Sequence, residues 1–210
     1  MEEIRFYKVD DLYGFFSNFS GYRIFIDNEV WPTVEHYFQA NKFENLELRL
    51  KIKNIDSPMK AAQEGRNKNY ILRPDWERVK EDIMMKALLA KFLQHQDLKL
   101  NLLNTNNAII IEDTKNDNYW GNGGDGSGKN RLGILLMETR GIINRMYNDI
   151  NAVFPPWVVF PGVSQHDLFW RMGIGEDFLY KWSQYYFNIH DKEHYKSAFP
   201  PNNDWYDIYD

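Results

Sequence analysis

Not one cysteine occurs in the 210 residues. Disulfides, thiolate zinc sites and cysteine nucleophiles are excluded together, and the composition suits a reducing compartment. Long apolar runs are missing as well: no window approaches eighteen consecutive apolar residues, so neither a spanning helix nor a membrane partner is expected. The opening MEEIRFYKVDD lacks the basic stretch and apolar run of a secretory signal. Positive charge is not in excess either, with 25 Lys and Arg against 30 Asp and Glu, a net charge of -5, and a pI near 5.6. Wrapping of duplex nucleic acid through many phosphate contacts is therefore disfavoured, although local basic pockets stay open. No repeat or low-complexity run is evident. What is present in quantity is apolar (43%) and aromatic (16%) surface, enough for one sizeable core, so a cytoplasmic globular protein is the expectation.

Between Phe6 and Val30, aromatic and β-branched residues broken by Gly14 and Gly21 suggest short extended segments around FFSNFSG. Thr33 then reads as the N-cap of one helix over TVEHYFQANKFENLELRLKIK. Ser57-Pro58 opens a short helix that Gly65 is suited to end, with Arg66 directly after. From Asp75 the spacing of Trp76, Val79, Ile83, Ala87, Ala90 and Leu93 predicts a long amphipathic helix. AIIIE, Ala108 to Glu112, is a short buried strand, followed by a polar loop and a helix from about Leu132 to Tyr147. FPPWVVFPG, Phe154 to Gly162, marks a change of composition. Residues 1–150 thus form the main domain and 151–210 an extension. Its many aromatics predict a layer packed on the main domain beside the pocket, where it narrows substrate choice.

The loop DNYWGNGGDGSGKNR contains both G-x-G-x-x-G (Gly121, Gly123, Gly126) and the G-x-x-x-x-G-K spacing (Gly123, Gly128, Lys129). No buried strand precedes Gly121, and Asn130 stands where a phosphate-binding loop needs a magnesium-binding hydroxyl, so neither nucleotide motif is satisfied. Glycines still let backbone amides approach a ligand, and the helix after the loop offers an anion site at its N-terminus. Trp120 can stack on a base and Asp125 can approach a sugar, or the loop is simply a mobile turn.

Helical geometry places Glu35, Gln39 and Lys42 on one face, flanked by Phe38 and Phe43. Such a stripe lines a polar pocket or forms an exposed, salt-bridged face. Inside a pocket the charges of Glu35 and Lys42 tune each other, and a partly desolvated lysine becomes a nucleophile. His36, His95, His166, His190 and His194 are scattered; His190 and His194 lack a third ligand and read as surface residues. No metal site and no cofactor are expected.

WPTVEHYFQANKF (Trp31 to Phe43) and DNYWGNGGDGSGKNRLGILLMETR (Asp117 to Arg140), with FFSNF, AAQEGR and RPDWERVKEDIMMKALLAKF in the same order, resemble the signatures of the YbiA-like or NADAR family. The similarity runs from about Arg5 to Tyr147. It implies a compact, mainly helical α+β fold with a few short strands. It also implies an N-glycosidase that hydrolyses the bond from ribose C1 to an exocyclic amine. The substrates implied are phosphoribosylamino-pyrimidine intermediates of riboflavin synthesis or ADP-ribosylated guanine, with ADP-ribosylated nucleic acid as a further partner. By motif, Glu35, Lys42 and Asp125 are the implied reactive groups. Asn18, Trp31, Gln39, Arg66, Trp120 and Asn130 are the implied pocket lining, with Gly121, Gly126 and Gly128 admitting phosphate.

A ribosylamine can open to an imine that exchanges with lysine to give a Schiff base, which water hydrolyses. Alternatively, Glu35 and Asp125 work as acid and base with Lys42 as an electrostatic aid. Outside enzymology, the same pocket would serve a non-catalytic sensor of ADP-ribose or NAD. A nucleotidase or kinase built on the glycine loop is the most distant alternative.

Overall fold

The computed structural model describes residues 2–209. Strand β1 (Glu3–Phe6) pairs in parallel with β4 (Ile109–Glu112), and β2 (Ile24–Ile26) pairs antiparallel with β3 (Glu29–Trp31). Asp27 and Asn28 join the second pair with φ of 56° and 60°, the positive-φ turn that matches hairpin twist. The rest of the main body is helical: α1 (Val34–Ala40), α2 (Leu46–Lys53), α3 (Pro58–Glu64), α4 (Trp76–Gln94), α5 (Gln96–Leu103) and α6 (Arg131–Met146). The fold is thus α+β and mainly helical. α1 packs against α2, α3 and α4, and α4 in turn against α6.

The single helix expected over 33–53 is two. Asn41 ends α1 by donating its side-chain amide to the Tyr37 carbonyl at 2.8 Å, and Asn45 starts α2 by accepting from the Leu48 N–H at 2.8 Å. Asparagine competes for backbone partners and so favours such ends, and Phe43 between them is buried. Gly65 does follow α3, but with φ −68° it is no left-handed cap. It is a close approach: a Cβ there would lie 2.1 Å from Gln39 Oε1.

α4 is the 19-residue core helix. Its fully buried stripe is rotated from the expected one and consists of Trp76, Met84, Ala87, Leu88, Lys91 and Phe92. At its end Gln94 pairs with the β2 backbone, accepting from the Phe25 N–H (2.8 Å) and donating to the Phe25 carbonyl (2.7 Å). An unanticipated helix, α5, follows the extended His95 and buries Leu98, Lys99 and Leu102.

Beyond Asn151 lie α7 (Pro156–Val159), a 3-10 turn at Leu168–Arg171, α8 (Gly173–Asn188) and α9 (Lys192–Ala198). Lys99 Nζ donates to the Ala152 carbonyl, Gln96 donates to the Asn151 carbonyl at 2.9 Å, and Phe25 meets Phe169 with ring centroids 4.3 Å apart. These segments therefore sit at the Gln94 end of α4, ten residues and about 15 Å along the axis from Met84. The aromatics pack largely on one another: Trp157 on Trp205 and Trp182, and Trp182 Nε1 donates to the Tyr195 hydroxyl at 2.9 Å.

The glycine-rich loop between β4 and α6 closes on Asn130, whose φ is +49°. Its side chain extends the sheet in place of another strand: Oδ1 accepts from the Glu112 N–H at 2.9 Å and Nδ2 donates to the Ile110 carbonyl at 2.8 Å. Asn130→Gly keeps the left-handed backbone but loses both bonds, and is expected to destabilise by about 1–3 kcal/mol. Asn130→Ala adds roughly 1 kcal/mol of backbone strain. Urea unfolding that ranks the proteins wild type, glycine, alanine supports this role; equal midpoints refute it.

Candidate active site

The site is built on α1, and α1 is held from outside itself. Thr33 Oγ1 accepts from the His36 N–H at 3.3 Å. The His36 ring spans from Thr33 Oγ1 (2.8 Å to Nδ1) to the Ile55 carbonyl (2.9 Å to Nε2). Because the carbonyl only accepts, Nε2 carries the hydrogen and Nδ1 accepts from the threonine; burial lowers the His36 pKa and keeps the ring neutral. The Glu35 N–H, a first-turn amide with no helical partner, donates to the Asn18 carbonyl at 3.1 Å. Asn18 belongs to a stretch that Lys91 clasps, its ammonium donating to the carbonyls of Phe15 (2.5 Å) and Ser17 (3.0 Å) and to Ser20 Oγ (2.7 Å).

Every residue of α1 is buried, and Glu35 and Gln39 are only 4% and 3% exposed, so the polar stripe is not a solvated face. Gln39 Nε2 donates to Glu35 Oε1 at 2.6 Å. Gln39 Oε1, Asn18 Oδ1 and Trp31 Nε1 are buried without a hydrogen-bond partner, as is Trp157 Nε1 in the C-terminal segment; three such atoms around one helix call for an explanation. Lys42 follows the helix in the turn after Asn41. Its Nζ donates to the Gly65 carbonyl at 3.2 Å and lies 5.7 Å and 5.9 Å from the Phe38 and Trp76 rings.

Burial first, and the Arg66 guanidinium second, pull the Lys42 pKa down to about 8 against the opposing carboxylates of Glu35 and Asp117. Burial raises the Glu35 pKa; the Gln39 hydrogen bond and the charges of Lys42 and Arg66 offset part of this. A second carboxyl group, Glu112, is pushed up to about 8 by burial and by the charges of Asp117 and Glu35. Arg66 is exposed and enters no ion pair or side-chain hydrogen bond among the described residues.

The loop after β4 turns out to be a latch. Asp117 Oδ1 accepts from the N–H groups of Tyr119 (2.8 Å) and Trp120 (2.7 Å), and Trp120 meets Phe38 of α1 edge-on at 5.3 Å. Asn122 accepts from the Thr114 and Gly124 amides and donates to Asp113. The amides of Asn122, Gly123 and Gly124, and of every residue from Gly126 to Leu132, donate within the loop and strand. The N-terminus of α6 is therefore no open anion site: Tyr119 and Trp120 carbonyls take the Arg131 and Leu132 N–H groups at 3.0 Å.

Glu35, Gln39, Lys42, Asn18, Trp31 and Trp120 thus converge on α1 and its surroundings, with Arg66 near enough for its charge to be felt. Asp125 does not join them. Its carboxylate is exposed and accepts from the Ser127 N–H at 2.9 Å, and the Ser127 side chain first and this N–H second lower its pKa. Asn130 spends its amide on β4. Gly121 and Gly128 allow tight loop packing, and Gly126, at φ +87°, faces open space. Among the described residues, the hydrogen bonds of the Glu35, Gln39 and Lys42 side chains go to the main domain, and the extension is tied by Gln96 and Lys99 of α5. The carboxyl groups that do share the field of Glu35 are Asp117 and Glu112. A strand ending in a charged residue on its apolar face was the available sign of Glu112.

Comparison with known proteins follows this geometry. The NADAR domain model matches residues 5–144. The chain is 55% identical over 137 residues to N-glycosidase YbiA of Shigella sonnei, covering 65% of this chain and 86% of that one. It is 41% identical over 152 residues to the chloroplastic riboflavin biosynthesis protein PYRR of Zea mays, covering 65% of this chain and 24% of that one. The NMR structure of the E. coli protein YbiA superposes with a TM-score of 0.65 at 51% identity, over 69% of this chain and 86% of that one.

The electrostatics can be measured directly. In spectra of lysine-labelled protein, the Lys42 Cε–Nζ correlation should titrate near pH 8. In Glu35→Gln the midpoint should fall further, because the Glu35 carboxylate favours the ammonium form. A midpoint above pH 10 would contradict the burial that sets it.

Proposed function

The chain belongs to the NADAR domain family, and from that premise we propose that it cleaves the bond between ribose C1 and an exocyclic amine. Its relatives carry the name N-glycosidase, and hydrolysis of N-glycosyl compounds is the chain's class of activity. The proposed substrates are ADP-ribosylated guanine and phosphoribosylamino-pyrimidines, the latter supported by the riboflavin name of the maize relative.

The observation that carries this proposal is a lysine amine, free in part near neutral pH, beside a buried carboxyl group and unpartnered polar atoms. A ribosylamine opens when the C1–O4 bond breaks, O4 taking a proton from a site carboxyl group such as Glu35 as a C1–nitrogen iminium forms. Lys42 Nζ adds to C1, the departing amine leaves with a proton, and a lysine Schiff base remains. Water adds to C1, the lysine is expelled, and the sugar recloses; one water is consumed in all. The exposed Asp125 is badly placed for the rival two-carboxylate route, which favours Lys42 as nucleophile. Arg66, unpaired and next to the cluster, suits the sugar phosphate. Trp120 supplies an aromatic face to the base. A sensor that only binds would not need a desolvated amine beside buried carboxyl groups.

Incubation with both substrate classes should release ADP-ribose or ribose 5-phosphate, followed by mass. Borohydride added during turnover should leave a sugar adduct on Lys42, and Lys42→Arg, which keeps the charge but cannot form the imine, should be inactive. Substantial turnover by Lys42→Arg refutes the covalent route. Arg66→Ala should raise KM for phosphorylated ribosides about tenfold or more, a loss of at least ~1.4 kcal/mol, and leave unphosphorylated ones unchanged.

A further inference from the structure

We propose that Glu112 is the general acid of this site, the group that protonates the exocyclic nitrogen as its bond to C1 breaks. The inference rests on the N-glycosidase function proposed above. It begins with strand geometry. In the parallel pair, Ile4 lies opposite Ile110 and Phe6 opposite Glu112, and alternate residues of a strand share a face. Ile4, Phe6 and Ile110 are all buried in the core. Glu112 therefore lies on the core-facing side at the half-buried end of the strand, where an apolar residue would serve stability better. No hydrogen bond reaches that carboxyl group among the described residues; only its backbone is bonded, the N–H to Asn130 and the carbonyl from Asn122. A half-buried carboxyl group without a donor is costly.

The charges around it separate it from Lys42. Glu35 on α1 and Asp117 in the loop act on Glu112, and the same two act on Lys42, yet Lys42 and Glu112 do not act on each other, and Arg66 acts only on the Lys42 side. Glu35 and Asp117 thus act on both an amine and an acid. With two carboxylates and no cation facing it, Glu112 holds its proton up to about pH 8. In the intermediate that carries both Lys42 and the departing amine on C1, Glu112 gives its proton to the departing nitrogen. The C1–N electron pair leaves with the amine, and the Lys42 lone pair forms the C1=N bond. The water that later hydrolyses the Schiff base returns a proton to Glu112.

The test is a series of ribosyl-aniline 5-phosphates with leaving groups from 4-methoxyaniline to 4-nitroaniline, assayed with wild type, Glu112→Gln and Glu112→Asp, each checked by thermal melting. Loss of a general acid costs about 10²–10⁴-fold. Glu112→Gln should lose that much on 4-methoxyaniline and only a few-fold on 4-nitroaniline, and should lack the part of the alkaline fall of kcat/KM that lies near pH 8. Glu112→Asp should be intermediate on the series and keep the alkaline fall, which serves as the readout if the glutamine variant does not fold. A uniform loss across the series, or no loss, overturns the role of Glu112 while the N-glycosidase stands. Failure of the wild type on every riboside removes the proposed function and this role with it.

Discussion

A single ammonium group underlies the placement of the site. Lys91 is fully buried on α4, and its three N–H bonds go to oxygens of the stretch from Phe15 to Ser20. That stretch presents the Asn18 carbonyl to the Glu35 amide and the Asn18 side chain to the buried pocket. Burial pulls the Lys91 pKa down to about 7, so the clasp is held against a considerable desolvation penalty. An apolar side chain at Lys91 would remove the donor that these three oxygens share and leave the stretch before α1 held by its own Ser20 bonds to the Phe15 and Ser17 carbonyls. The core helix and the reactive helix are thereby fixed relative to each other through a loop that has no regular structure of its own.

The second fixed point lies across the pocket. There the loop from Asp113 to Asn130 satisfies its own amides and sets Trp120 against Phe38. Glycine serves two different needs in this protein: at Gly121 and Gly128 it admits neighbouring backbone, and at Gly65 it admits Gln39. Neither need is phosphate binding. The cluster of side chains between these two fixed points keeps several polar atoms unmatched, a cost borne by the packing of the surrounding helices.

Much of this was legible in the sequence, for identifiable reasons. The Thr33 cap, the helix from Trp76, the AIIIE strand and the helix to Met146 follow from local propensity and periodicity, and the stripe of Glu35, Gln39 and Lys42 follows from helical spacing. The break at Asn41–Asn45 was missed because apolar and charged helix formers continue on both sides of it. The role of Asn130 was missed because a side chain that imitates a strand has no local signature. Asp117 and Glu112 have no more local signal than Asp125, since which carboxyl group acts on Glu35 depends on the register of β1 with β4, a contact across more than a hundred residues. Lys91 carries no local sign of its burial, because the rotation of α4 is set by its neighbours.

That long-range strand pair also shapes how the chain comes into being. β1 leaves the ribosome well before β4, whose register with it begins only at Ile109, so at 5–20 residues per second Ile4 and Phe6 wait roughly 5–20 s for β4 to be made. During that interval a hydrophobic strand edge is open to other nascent chains. The hazard is contained by brevity and charge: β1 is four residues long and alternates Glu3 and Arg5 with its two apolar side chains, a charged edge that resists pairing with a stranger while it leaves the native register intact.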